Sequence, residues 1–232
     1  MNTRNRLPIT VGFLTVLYST LLLTMMNCVT VCPDVIASPR TPADLIENSC
    51  GGTFQGEKRI LVAYDTIHGS TAEVAKEIGA ALCDRGSQVD VRFVGNVSGL
   101  TDYDAVILGS AIYEFRWLPD ATAFLKNNTA ALSAMPVAYF IVGASLFQDT
   151  PENRDAAKKS FIDPVLAEYP DIKPLSIGLF GGAVDFKKEQ YNLFEKFVLR
   201  ILGLIVGFKD SADWRNWEYI NSWANEVGDK LQ

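Results

Sequence analysis

Seven consecutive residues, Asp65-Thr66-Ile67-His68-Gly69-Ser70-Thr71, hold three hydroxyls, a glycine and the single histidine of the chain. They follow the apolar run RILVAY (59–64) and precede AEVAKEIGAAL, whose apolar residues recur at helical spacing. A helix start presents unpaired N–H groups and about half a positive charge. A phosphate can be held there without any basic side chain. Thr66, Ser70 and Thr71 can donate hydroxyl protons to its oxygens, and Gly69 lets the backbone wrap closely. The stretch therefore suits a tightly held phosphate monoester. It lacks the Gly-Lys-Ser/Thr ending of a nucleoside-triphosphate loop, and it lacks GxGxxG, which disfavours a dinucleotide. The plainer alternative is an ordinary N-cap, with Thr66 or Ser70 closing the first turn.

Such a loop works only if other elements hold it. Apolar or period-two runs at 59–64, 88–94, 103–110, 135–143 and 172–182 read as strands. Helical spacing falls at 70–86, 120–132, 151–169 (with a proline break) and 213–231. Short strands alternating with helices make βαβ units, whose right-handed crossovers give a parallel sheet covered on both faces. The expectation is an α/β fold, a five-stranded parallel doubly wound sheet. In such sheets ligands sit beyond the carboxyl ends of the strands, which is where the seven residues lie.

The chain has 232 residues and a formal net charge of −6, which argues against nucleic acid as a partner. Arg4 and Arg6 precede an uncharged stretch, Ile9 to Val31, of 23 residues. That is long enough to cross ~30 Å of hydrocarbon as a helix. An uncleaved single-pass membrane anchor, a cleaved secretory signal ending near Val35–Ser38, and a buried helix are the alternatives. The two arginines would stay in the cytoplasm and put the body outside it. Residues 1–32 thus form an anchor or signal segment, and the Pro/Gly/Ser-rich residues 33–58 read as a tether. Residues 59–232 form the folded domain. With no CxxC pair and one histidine, no metal site is expected, and all four cysteines read as small apolar residues. Asn96 and Asn127 open glycosylation patterns that matter only for an exported body. His68 reads as a solvated loop residue, Trp217 and Trp223 as packing residues, and Asp102 and Asp104 as turn formers.

The stretch Thr66 to Thr71 resembles the phosphate loop of flavodoxins, T-x-T-G-x-T after the first strand. Thr66, Gly69 and Thr71 match, while His68 stands where a hydroxyl residue is usual. After the third strand, LGSAIYEFRW (108–117) resembles the turn flanking the isoalloxazine ring. This implies ring contacts from Ser110, Ala111, Ile112 and Tyr113. IVGASLFQD (141–149) resembles the other flank, implying contacts from Gly143, Ala144 and Ser145. The resemblance thus implies FMN as cofactor, held also by Thr66, His68, Gly69, Ser70 and Thr71.

The C-terminal part, with an added stretch at about 183–210 and Asp210, Asp213, Arg215, Trp217 and Glu218, resembles a subset of flavodoxin-like proteins. That subset includes the menaquinone-linked protoporphyrinogen oxidase. It implies an oxidoreductase exchanging electrons with a quinone, a porphyrin or a redox protein partner. A plain flavodoxin-like electron carrier remains an alternative, as does an anchored interaction domain without flavin. The added stretch, Lys187 to Lys209, is apolar with basic flanks. It can lie in a membrane surface or pack on the domain's own core.

Overall fold

A computed structural model of the chain describes residues 44–51, 58–185, 196–197, 200–201, 203–204, 207 and 210–232. The expected anchor at 1–32 and most of the added stretch lie outside them. Among the described residues, no helix is long and apolar enough to cross a membrane.

The central strands are β2 (Arg59–Asp65), β3 (Gln88–Phe93), β4 (Ala105–Tyr113), β6 (Val137–Gly143) and β7 (Pro174–Gly181). They pair in parallel in the spatial order β3-β2-β4-β6-β7. The five-stranded parallel core is therefore as expected. Ile60, Leu61, Val62, Ala63 and Tyr64 are all fully buried. Such strands are covered on both faces, so they read as continuous apolar runs rather than alternating ones. The order reverses direction at β2: the chain steps from β2 to β3 on one side, then crosses back to β4 on the other. Right-handed crossovers consequently put α1 (Ser70–Asp84) and α2 (Pro119–Ser133) on opposite faces.

Two strands enlarge this core. β5 (Arg116–Trp117) folds back on β4, and β1 (Asn48–Cys50) runs antiparallel along β3. β1 corrects the expected tether. Its residues are short and polar, but specific partners hold them. Ser49 donates to Asp90, and Arg92 donates to the Asn48 carbonyl. The Tyr64 hydroxyl donates to the Ile46 carbonyl at 2.8 Å and accepts from its N–H at 2.7 Å. Burial pushes that phenol up to about 12. Cys50 and Cys83 form a disulfide with their Cα atoms 6.1 Å apart, so these two are not the ordinary apolar residues expected.

Two other boundaries differ. The proline break in 151–169 is a π-helical turn, Lys158–Ile162, between α3 (Pro151–Ala157) and α4 (Asp163–Glu168). Such a turn accommodates Pro164, which lacks an N–H to donate. The last helix, α5 (Trp217–Leu231), begins four residues later than expected. Asp213 instead belongs to β9 (Ser211–Asp213), which pairs antiparallel with β8 (Ala183–Asp185). Asn216 caps α5 by accepting from the Tyr219 N–H at 3.0 Å. Trp223, buried on α5, packs edge-on against Phe140 and Phe180 and anchors the helix to β6 and β7. Trp217, expected to pack, keeps 36% of its surface exposed.

Candidate functional site

Strand register brings the three expected loops to one edge of the sheet. Asp65 pairs with Ser110, Ser110 with Ile141, and Gly143 with Gly181. The reversal of strand order falls between β2 and β4, so Asp65 to Thr71 opens at the switch point.

No side chain caps α1. Its N-cap is Gly69, left-handed at φ 86°, a conformation that costs other residues about 1–2 kcal/mol. The Thr66 Oγ accepts from the Gly69 N–H at 3.1 Å, shaping the loop rather than closing the helix, so the ordinary capping alternative does not describe it. Thr66 and Thr71 are buried. Among the described residues the Thr71 hydroxyl has no hydrogen-bond partner, although it is shielded from solvent. A buried hydroxyl left alone costs about 1–3 kcal/mol. Uncapped N–H groups, a buried donor and a left-handed glycine together fit a phosphate. Asp65, also fully buried, accepts from the Ala121 N–H at 3.0 Å and so ties α2 to the loop. His68 differs from the solvated residue expected: it is half-buried and both ring nitrogens are out of solvent.

In the second loop, Ser110 turns inward. Its Oγ accepts from the Leu118 N–H at 2.9 Å and donates to the Ala111 carbonyl. The side chain closes the β4–β5 hairpin, leaving any ligand contact to the half-buried Ala111, Ile112 and Tyr113. Glu114 and Phe115 form the hairpin tip with φ of 48° and 60°. Two left-handed central residues match the twist of paired strands but strain side chains that are not glycine or asparagine. Phe115 is 68% exposed there. In the third loop Gly143 is buried, while Ala144 and Ser145 are exposed. A Cβ on Gly143 would lie 3.2 Å from the Ile112 side chain, so the second and third loops touch.

The mouth is completed from the far end of the chain. Gly182 donates to the Gly143 carbonyl, and Trp214 donates to the Gly182 carbonyl. A cavity of about 240 Å³ lies between the loop that opens α1 and the β8–β9 pair. His68, Ser70, Glu73, Asp185, Asp213 and Arg215 are among its lining residues. Ser110–Tyr113 and Gly143–Ser145 are not, so the cavity joins the first loop to the β8–β9 pair rather than to the other two loops. Arg215 sits at its wall with its side chain 9% exposed. It donates to both Asp213 oxygens, at 2.8 and 2.6 Å, and to Glu73 at 2.6 Å. Its bonds hold the Asp213 carboxyl below the usual range. Burial works against the guanidinium charge, yet Asp213 and Glu73 raise its proton affinity.

A flavodoxin domain family profile matches residues 61–211. The chain belongs to the flavodoxin domain family. That match spans all three loops and ends inside β9. Among curated relatives, protoporphyrinogen IX dehydrogenase (quinone) of Escherichia coli strain K12 is 23% identical over 175 residues, covering 73% of this chain and 94% of that protein. The Leishmania major protein of the same name is 23% identical over 176 residues, covering 72% and 74%. Among solved structures, an archaeal flavodoxin aligns at 13% identity and a TM-score of 0.42, covering 75% of this chain and 98% of its own. Oxidised flavodoxin 2 from Bacillus cereus aligns at 17% and 0.44, covering 74% and 99%.

For a flavodoxin-family chain, sequence reasoning passed over Glu73 and named Arg215 only within the C-terminal resemblance, without joining the two. Arg215 is separated from Glu73 by 142 positions, so no local signal joins them.

Proposed function

We propose that the protein binds FMN across the three loops and works as a membrane-attached oxidoreductase passing electrons to a quinone. One observation supports this most directly: the buried, unpartnered Thr71 hydroxyl beside the uncapped start of α1. Thr66, Gly69, Ser70 and Thr71 would hold the phosphate. Ile112, Tyr113 and the Gly143–Ser145 turn would flank the ring, and backbone groups of Ala111 and Ile112 would meet its edge. When bound, FMN supplies one- and two-electron redox chemistry. The residues of this chain bind it, orient it and exclude water from its phosphate.

The names of the E. coli and L. major relatives support a quinone as acceptor and a porphyrinogen as donor. In the added stretch, Phe197 and Leu204 are 60% and 86% exposed, which favours an apolar surface offered outward over one packed on the core. The segment Ile9–Val31 would be the single-pass anchor. Arg4 and Arg6 support a body outside the cytoplasm, and so does the Cys50–Cys83 bridge, because disulfides persist in oxidising compartments.

The full chain, purified in detergent, should be yellow and release FMN on denaturation. Colourless protein that leaves added FMN fluorescence unquenched overturns the reading. Anaerobic titration with protoporphyrinogen and a quinone then separates the enzyme from a plain carrier, which would show no turnover. Protease protection on intact cells tests the side of the membrane: digestion of the body by external protease is the expected result.

A further inference from the structure

The phosphate loop contains no cation, and its first turn contains a carboxylate. Glu73 lies at the positive end of α1, where its charge competes with any anion for the same helix N-terminus. A phosphate monoester carries up to two negative charges, so a bare Glu73 beside it would repel it. The cavity wall adds Asp185 and Asp213. On these residues alone the mouth is acidic and ill suited to phosphate.

Arg215 changes that balance. The side chain of Arg215 is 9% exposed. It forks onto Asp213 through Nε and Nη2, reaches Glu73 through Nη1, and stacks 4.5 Å above the Trp217 ring. Its own N–H also donates to Asp213 at 3.0 Å, which fixes the start of the segment leading into α5. Bidentate pairing and stacking make this a rigid arrangement that a lysine would not reproduce in full. We propose that Arg215 is the phosphate loop's cation supplied from a distance. It is a positioning residue that offsets part of the Glu73 charge and thereby lets the start of α1 hold the phosphate of FMN. This rests on the FMN reading and extends it: preference for the phosphorylated flavin over riboflavin is set by the β9–α5 junction as well as by the loop. A purely structural staple between α5 and α1 would not distinguish the two flavins.

The test measures FMN and riboflavin affinities of the full-length protein by fluorescence quenching, for wild type, Arg215→Gln and the double variant Arg215→Gln with Glu73→Gln. Arg215→Gln should weaken FMN about tenfold, the size of one close charge interaction in a partly buried site. Riboflavin should change less than about twofold, since it has no phosphate to repel. The double variant, with no carboxylate left at position 73, should return FMN to within about threefold of wild type. Equal weakening of both flavins, or no recovery in the double variant, overturns the inference while leaving the FMN reading standing. Wild type that binds neither flavin overturns the FMN reading, and the inference with it. If Arg215→Gln does not fold, Arg215→Lys and Glu73→Gln serve instead. The first must keep the preference for FMN, and the second must strengthen FMN binding without altering riboflavin. Failure of either overturns the proposal.

Discussion

The phosphate loop and the Arg215 cluster lie on the same cavity but are built in opposite ways. The loop is local: seven consecutive residues, a left-handed glycine and a helix start, held by the main chain. The cluster joins Glu73 in α1 to Asp213 and Arg215 near the C-terminus. Local geometry supplies donors without side-chain charge. Distant residues supply the charge that makes those donors useful. A site read only from its motif therefore shows its shape and not its electrostatics.

The two parts should respond differently to mutation, and the largest expected effect tests their independence from global stability. Replacing Cys50 and Cys83 by alanine removes a bridge spanning 33 residues at the far end of α1. Urea unfolding should show a loss of about 2–4 kcal/mol. FMN affinity should stay within about twofold; a parallel collapse of affinity would mean that α1 does not hold its N-terminus independently.

Gly69→Val comes next. A β-branched residue at φ 86° should cost about 2 kcal/mol or more in folding. It should also abolish bound flavin in the purified protein, as read from its visible absorption. Retained yellow colour would show that the loop does not need its left-handed turn.

Thr71→Val is smaller and has a distinctive sign. The hydroxyl has no partner among the described residues, so removing it should leave unflavinated stability unchanged or slightly raised. FMN affinity should fall about tenfold, the worth of a hydrogen bond to a charged group. A clear fall in the thermal midpoint of the flavin-free protein would point to an internal partner instead.

The smallest effect separates both regions from the β1–β3 edge. Burial raises the Asp90 carboxyl, but bonds from Ser49, Arg59 and Tyr103, with the charge of Arg92, outweigh it and hold the group below its usual value. A lowered folded value means the contribution is complete above the ordinary carboxylate range near 3.9. It is lost as pH falls through the folded value. Asp90→Asn should flatten this acid-side loss by about 1 kcal/mol, measured by urea unfolding from pH 6 down to pH 3. It should leave flavin binding alone.

Much of the fold was legible because strands buried on both faces must be apolar along their centres, and Ile60–Tyr64 and Val137–Gly143 are. β1 was not, because Asn48, Ser49 and Cys50 look like any polar linker until Asp90 and Cys83 are placed beside them. The turn at Gly69 was legible because a glycine before a helix start can take a positive φ, and it does. The internal use of the Ser110 hydroxyl was not, because its partner N–H belongs to Leu118, beyond a hairpin turn made by Glu114 and Phe115 without glycine. Asp213 to Arg215 looked helical by continuity with α5. Tertiary pairing with β8 and the pull of Glu73 on Arg215 won over that local preference.

The pairing of Asp185 with Ser211 means that the intervening stretch leaves and rejoins the sheet at a single doorway. A segment tethered by adjacent feet can be lengthened, shortened or exchanged with little disturbance to the strands beneath. This makes it a natural splice point for exchanging the segment without rebuilding the strands that carry the three loops.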